Sequence, residues 1–271
     1  MLATVEEYMK LPQAKAEHRF SYGKDSQQFG DLFLPAGPGP HPVVIALHGG
    51  CWFADYDLLP FSALCRAIAG EGFAVWSLEY RRLGNGGGWP GTFHDIGAGA
   101  DYLRTLAPKY ALDLKCVIAL GHSAGGMLAL WLGARLRVPH GSAISVAHPL
   151  GVHAVVALAG IADLAEGARR NLCGTACTDL LGGTHAQHPE RFRAASPVEL
   201  LPFGVPQRHI VGRHDTIVPV DYLEHYVARA AKHDDATLTV IEDAGHFEPV
   251  MPGSIAWRTV RKALRESILA R

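Results

Sequence analysis

The chain has 271 residues, of which 48% are hydrophobic and 19% charged, so it can bury a sizeable core and suits a single domain over 1–271. Its formal net charge of −1 argues against nucleic acid or an anionic membrane as the main partner, because no strongly basic face is implied. No run approaches the roughly 18 apolar residues that would span a bilayer.

The first 42 residues predict an entry segment and a hairpin. Residues 1–10 carry acidic side chains and no apolar core, so no secretory signal is visible, and we expect a cytoplasmic location with export left open. Residues 17–22 and 28–34 alternate around a polar turn, which predicts an antiparallel hairpin. A loop rich in proline and glycine, 35–42, leads into the core.

The first core strand is expected at 42–47, and the sequence His-Gly-Gly-Cys-Trp follows it directly at 48–52. Two glycines allow the backbone to pass close to a substrate and to turn its amides inward. After a strand, and about seventy residues before the glycine-serine motif described next, this pattern predicts half of an oxyanion hole. We expect the amides of Gly50 and Cys51 to stabilise the oxyanion, and Trp52 to line the substrate pocket.

The most informative motif is Gly-His-Ser-Ala-Gly at 121–125, between an apolar strand-like run and a helix-forming run. Strand, sharp turn and helix is the context of a nucleophile elbow. A serine there has a left-handed or otherwise strained backbone, for which the flanking glycines leave room. Ser123 is therefore the candidate nucleophile, the amide of Ala124 would join the oxyanion hole, and His122 would line the substrate pocket.

A serine hydroxyl needs a histidine base and an orienting carboxylate, expected downstream with the acid before the base. Asp215 follows the apolar run 206–211, and His246 lies on the loop after the run 237–241. Both residues therefore stand at the carboxyl ends of predicted strands, where functional groups gather in open α/β sheets. We predict that Ser123, Asp215 and His246 form a catalytic triad.

The chain has 15 histidines, so position and not residue type selects His246. His214 is the alternative base, but it would share a turn with its own orienting acid. Asp243, on the histidine loop, and Asp163, after an earlier strand, are alternative acids. Phe247, next to the base, is expected to line the substrate pocket.

Together these motifs resemble the α/β-hydrolases, and in particular the compact carboxylesterase group that includes hormone-sensitive-lipase-like esterases, bacterial feruloyl and acetylxylan esterases, and kynurenine formamidases. The resemblance covers about residues 19–269. The sequence at 48–52 is similar to the His-Gly-Gly-Tyr-Trp of arylformamidases, with Cys51 where the tyrosine would be. Residues 78–82 and 89–96 resemble the strand and loop that lead into the helix before the elbow in these esterases.

The alternation of apolar runs with helical segments predicts a mostly parallel sheet with helices on both faces, and the resemblance implies an α/β-hydrolase fold of about eight strands. Further strands are expected at 73–78, 116–120 and 152–158, and helices at about 58–69, 97–106, 220–231 and 254–269. The segment 163–205, before the acid strand, is interpreted as a small insertion near the active site. With no sizeable N-terminal cap, the site is expected to be open.

These features predict a serine hydrolase that cleaves carboxylic esters of small to medium size through an acyl-enzyme intermediate. Its expected partner is a small-molecule ester, with a homo-oligomer left open, and the mechanism requires no cofactor or metal. The alternative function is an arylformamidase-like amide hydrolase. A non-catalytic binding module with the same fold is a further alternative, although such modules typically lose a member of the triad.

The five cysteines are too few for a disulfide framework, and their odd number leaves at least one thiol free. Cys173 and Cys177 are four residues apart and could close a local disulfide or be two free thiols on one helical face; free thiols are the favoured interpretation. No second Cys or His pair has the spacing that would complete a closed zinc site.

Overall fold

A computed structural model describes residues 2–269; positions 1, 270 and 271 of the predicted domain lie outside the described residues. The strands are β1 (His18–Ser21), β2 (Phe29–Phe33), β3 (His41–Leu47), β4 (Ala74–Leu78), β5 (Leu112–His122), β6 (Ala154–Leu158), β7 (Gln207–Gly212) and β8 (Ala236–Ile241). They form one eight-stranded sheet in the order β1-β2-β4-β3-β5-β6-β7-β8.

Strand directions determine where the loops of the sheet meet. β1 and β2 form the antiparallel hairpin expected near the N terminus, and β2 also runs antiparallel to β4. From β4 through β3 to β8, neighbouring strands are parallel. Parallel neighbours end at the same edge, so the loops after β3, β5, β7 and β8 lie together there. The predicted mostly parallel sheet of about eight strands is confirmed.

The helices cover both faces of the sheet. They are α1 (Val5–Met9), α2 (Ser62–Ala69), α3 (Gly91–Asp101), α4 (Leu103–Tyr110), α5 (Ala124–Gly133), α6 (Leu164–Arg169), α7 (Ala176–Leu181), α8 (Pro189–Ala195), α9 (Val220–Ala230) and α10 (Trp257–Leu269). Val43, Ile45 and Leu47 of β3 belong to one core cluster with residues of α3, α5 and α9. Val44 and Ala46 belong to a second cluster with residues of α2 and α10, as the two-residue period of a strand requires.

Two helical regions differ from the prediction. Residues 91–96, part of the segment 89–96 expected to lead into the helix, already belong to α3, whose Phe93 and Ile96 are buried. α1 is absent from the predicted helices because five residues are too few to show a helical period. Its start nevertheless carries a capping box, in which the Thr4 side chain accepts a hydrogen bond from the Glu7 amide and the Glu7 carboxylate accepts one from the Thr4 amide.

The segment 163–205 folds as three short helices, α6, α7 and α8, and a 3₁₀ turn. Leu164, Leu180 and Phe192 are fully buried in the first core cluster, so the segment is fastened to the body of the protein. Among residues 2–269, no helix combines the length and the apolar character needed to cross a membrane.

Candidate active site

Ser123 lies in a sharp turn between β5 and α5 with φ 53° and ψ −118°, the strained conformation predicted from the sequence. Its amide donates a hydrogen bond to the Leu158 carbonyl at 2.8 Å, which ties the turn to β6. A Cβ atom at Gly121 would collide with the carbonyl of Gly125, and one at Gly125 with the carbonyl of Leu47. The two flanking glycines are therefore required for this turn to close.

Asp215 and His246 meet across the loops after β7 and β8. Nδ1 of His246 lies 2.7 Å from Oδ2 of Asp215, and both side chains are buried. The other carboxylate oxygen accepts hydrogen bonds from the amides of Ile217 and Val218, each at 2.8 Å. Ser123 and His246 line the same cavity. The structure thus brings together the three side chains predicted to form the triad.

The alternative acid and base residues are positioned differently. Asp163 caps α6, because its side chain accepts hydrogen bonds from two amides of the first turn of that helix. His214 and Asp243 are exposed, and neither lines the cavity that holds Ser123. The geometry therefore favours Asp215 and His246, as the sequence did.

The loop after β3, residues 48–52, passes directly beside the nucleophile. A Cβ atom at Gly49 would lie 3.3 Å from Cβ of Ser123. Gly50 and Cys51 have φ angles of 106° and 52°. Within residues 2–269, the amides of Gly50, Cys51 and Ala124 make no hydrogen bond to a protein acceptor. They are therefore free to donate to an anionic oxygen in the cavity, and Ala124 adds the positive end of α5.

A buried polar network holds the start of this loop. The Tyr80 hydroxyl donates to the His48 carbonyl at 2.8 Å, and Nε2 of His48 lies 3.2 Å from Oε1 of Glu79. Arg82 also lies 3.2 Å from Glu79. Burial by itself would raise the pKa of Glu79, but His48 and Arg82 hold that pKa below its usual value. At the other end, the Leu83 amide donates to the carbonyl of residue 52 at 2.8 Å.

The disulfide pairing of the cysteines differs from the prediction. Cys51 forms a disulfide with Cys173, 122 positions away in the sequence and 5.8 Å away between Cα atoms. Cys177 is a buried free thiol, whose pKa burial raises to about 12. Both the local disulfide and the favoured pair of free thiols are therefore wrong for Cys173. The reason is that spacing along the sequence reveals local partners only, whereas the fold brings α6 and α7 beside the loop after β3.

Of the three residues predicted to line the substrate pocket, two do so: His122 and Phe247. Nε2 of His122 donates to the His246 carbonyl at 3.0 Å, so His122 also supports the loop of the candidate base. Burial, with a smaller electrostatic contribution from the neighbouring His246, lowers the pKa of His122 well below its ordinary value. Trp52 is fully buried in the first core cluster and is not among the cavity residues of the described chain, which corrects its assignment to substrate binding.

The cavity has a volume of about 300 Å³ and a mostly apolar wall. Its lining includes Val5, Tyr8, Met9, Tyr56, Pro60, Ile217 and Phe247. α1 therefore forms one wall of the site, although no sizeable N-terminal cap was expected. The insertion 163–205 contributes no lining residue within the described chain and reaches the site through Cys173. Asp57 also lines the cavity, whereas no lysine or arginine among residues 2–269 does.

α1 is attached to the loop of the candidate base. The Tyr8 ring stacks on the Phe247 ring with centroids 5.5 Å apart. Glu248 accepts hydrogen bonds from the amide of Ala3 at 2.5 Å and from that of Gly245 at 2.8 Å. One buried carboxylate thus connects the start of the chain to the turn that presents the histidine.

Sequence comparisons identify relatives of the chain. Residues 31–227 match the family model described as BD-FAE. Esterase LipC of Mycobacterium tuberculosis (strain ATCC 25618 / H37Rv) is 26% identical over 247 residues, which are 87% of this chain and 60% of LipC. The chain therefore spans about three fifths of the length of the curated relative that it matches.

The fold is shared with solved esterase structures. A truncated form of a carbohydrate esterase from gut microbiota has a TM-score of 0.78 and 22% identity, covering 95% of this chain and 97% of that one. Thermogutta terrifontis esterase 2, phosphorylated by paraoxon, has a TM-score of 0.70 and 18% identity over 92% of each chain. The fold implied by the resemblance to α/β-hydrolases is thereby confirmed.

Proposed function

The chain belongs to the BD-FAE family, and from this premise we propose that it is a serine hydrolase of carboxylic esters. The observation that carries the proposal is the hydrogen bond between Asp215 and His246 in a site where Ser123 lines the same cavity. LipC, which is named an esterase, and the phosphorylated esterase 2 support the same reaction class.

In the proposed reaction, Oγ of Ser123 attacks the ester carbonyl while Nε2 of His246 accepts the hydroxyl proton. Asp215 holds Nδ1 of the imidazole as a donor and stabilises the imidazolium. The carbonyl oxygen becomes an oxyanion that the amides of Gly50, Cys51 and Ala124 stabilise. The bond to the alcohol then breaks as His246 returns the proton to the leaving oxygen, and water repeats the sequence to release the acid.

The cavity indicates the kind of ester. About 300 Å³ is at the lower end of the range for ligand pockets, and the wall is mostly apolar, so a compact uncharged group fits it best. N-formylkynurenine, the substrate of the alternative arylformamidase function, carries a carboxylate. Asp57 could pair with the ammonium group of the same amino acid, but no lysine or arginine among the described lining residues would pair with its carboxylate, so the mostly apolar cavity favours neutral esters.

The first test is a substrate panel on the wild type and Ser123→Ala. It contains p-nitrophenyl esters from acetate to octanoate, methyl ferulate and N-formylkynurenine. We expect ester turnover that falls by about 10³-fold or more in Ser123→Ala, because the triad acts as a unit. The matched control is Ser26→Ala, which changes an exposed serine of the hairpin turn and is expected to keep full activity.

Covalent labelling gives an independent readout. Paraoxon should phosphorylate the wild type once, on the peptide that contains Ser123, and should leave Ser123→Ala unlabelled. Faster turnover of N-formylkynurenine than of any ester would replace the proposal with the formamidase function. Ester turnover that persists in folded Ser123→Ala protein would contradict the mechanism.

A further inference from the structure

Cys173, the second cysteine of the disulfide, is 122 positions from Cys51 in the sequence but is joined covalently to the loop of the candidate oxyanion hole. Cys51 lines the cavity and supplies one of the amides assigned to the oxyanion hole. Its sulfur is bonded to Cys173, which lies in the loop between α6 and α7. Cys173 itself is not a lining residue, and its covalent connection to the cavity is through Cys51.

The residues that follow β3 are held at both ends by hydrogen bonds. The Tyr80 hydroxyl holds the carbonyl of His48, and the amide of Leu83 holds the carbonyl of residue 52. Gly50 and Cys51, at the apex between these points, make no hydrogen bond through their amides within residues 2–269. An oxyanion hole requires this, since an amide already bonded to protein could not donate to the substrate.

The Phe53 amide donates to the Gly50 carbonyl at 2.9 Å and closes the turn without using the apex amides, but this bond leaves the side chain of Cys51 unheld. The disulfide is the covalent link at this point of the loop. The backbone also requires restraint, because Cys51 and Trp52 are non-glycine residues with φ of 52° and 57°. Residues in this region persist only where the surroundings hold them there. Loss of the disulfide would remove one of these restraints, and any relaxation of Cys51 toward ordinary backbone angles would turn its amide away from the cavity.

We propose that Cys173 is a positioning residue that, through its disulfide with Cys51, keeps the amides of Gly50 and Cys51 directed at the oxyanion. The proposal rests on the esterase function proposed above. A dithiol reductant reverses the arrangement: it transfers two electrons and two protons to the disulfide, leaves a thiol on each cysteine and becomes a cyclic disulfide itself. Cys51 and Cys173 are partly exposed, whereas Cys65, Cys116 and Cys177 are buried free thiols.

We expect loss of the disulfide to slow the chemical step, and therefore to lower kcat. Loss of one oxyanion donor lowers kcat by about 10²- to 10³-fold in serine hydrolases, so loosening two donors without deleting them should lower kcat by about 10- to 100-fold. KM should change by less than about threefold, because these amides bind the oxyanion more strongly than the ground-state carbonyl. The inhibition constant of a trifluoromethyl ketone, whose adduct mimics the oxyanion, should rise in parallel with the loss of kcat/KM.

The test compares wild type, Cys173→Ser and the control Cys177→Ala with p-nitrophenyl acetate, before and after treatment with dithiothreitol and after reoxidation. Thiol titration of wild type in denaturant should give three free thiols before reduction and five after it, and peptide mapping should locate the disulfide. Circular dichroism at the assay temperature verifies that each protein is folded. Wild type and Cys177→Ala should lose kcat on reduction and regain it on reoxidation, whereas Cys173→Ser should be slow throughout and insensitive to the reductant.

The proposal is overturned if five thiols titrate before reduction, or if reduced wild type with five thiols keeps kcat within about twofold. It is equally overturned if the loss appears in KM alone, or if the trifluoromethyl ketone binds Cys173→Ser as tightly as wild type. Failure of the esterase function gives a different result, since no Ser123-dependent turnover is then seen in any variant.

Because cytosolic thiols are kept reduced, the proposal implies higher activity in an oxidising compartment.

Discussion

Nδ1 of His246 donates a hydrogen bond of 2.7 Å to Oδ2 of Asp215, across two loops that are 31 positions apart in the sequence. The second oxygen of the carboxylate is held by the amides of Ile217 and Val218, so the acid cannot rotate without losing both bonds. A carboxylate accepts and does not donate, which places the proton of the neutral imidazole on Nδ1. Nε2 is then left as the acceptor that a serine hydroxyl requires.

Asp215→Asn should lower kcat/KM by about 10³- to 10⁴-fold, because an amide can donate to Nδ1 and stabilise the wrong tautomer of His246. Steady-state kinetics with p-nitrophenyl acetate from pH 6 to pH 9 measures the loss. Asp243→Asn, an exposed acid on the histidine loop, is the matched control and should remain within about twofold of wild type. Equal effects of the two substitutions would contradict the assignment of Asp215.

Tyr8→Ala should broaden the acyl-chain preference, because the ring forms part of the cavity wall and stacks on Phe247. Space for one or two more methylene groups, at about 0.8 kcal/mol each, should raise the ratio of kcat/KM for p-nitrophenyl octanoate over acetate by about 4- to 15-fold. Tyr8→Phe, which keeps the ring, and Glu6→Ala, on the exposed side of α1, should leave the ratio unchanged. An unchanged ratio in Tyr8→Ala would show that α1 does not limit the substrate.

His209 should make the free energy of unfolding decrease at acid pH. Burial, with a smaller contribution from the charge of Arg208, lowers its pKa to about 3 from an ordinary value near 6.5. Between these values the unfolded state binds more protons, so the stabilisation is complete above pH 6.5 and is lost as the pH falls toward 3. The decline should approach about 1.4 kcal/mol per pH unit for this one group.

Urea unfolding at a series of pH values from 7 to 4 tests this expectation on His209→Asn. The variant should lose less stability with falling pH than wild type, whatever its stability at neutral pH. His140→Asn alters an exposed histidine and should keep the wild-type dependence. Parallel stability curves for wild type and His209→Asn would show that His209 does not titrate differently on folding.

Cys173→Ser should lower the free energy of unfolding by about 2–4 kcal/mol, since the disulfide closes a long loop in the unfolded chain. Urea unfolding in the presence and absence of a reductant measures the difference. Reductant should destabilise wild type to the level of the variant and leave the variant unchanged. If the midpoint of wild type is the same with and without reductant, the disulfide does not stabilise the fold.

Local sequence patterns were sufficient to predict the elements that are formed by interactions between residues close together in the chain. The turn at 121–125 follows from two glycines at positions where a Cβ atom would collide with the backbone. These glycines lie between an apolar strand and an apolar helix. The order of strands and helices along the chain determined the parallel sheet, and parallel strands bring their carboxyl ends to one edge. For this reason Asp215 and His246 could be chosen by position among many acids and histidines.

Other features of the site depend on contacts between distant parts of the chain, which no local pattern encodes. Trp52 follows the two glycines, yet the loop turns its indole into the core. α1 is too short to show a period, although Thr4 and Glu7 signal its capping box, and only packing on Phe247 makes it a wall of the cavity. Cys51 and Cys173 are joined because the fold brings their loops together, a proximity that spacing in the sequence cannot express.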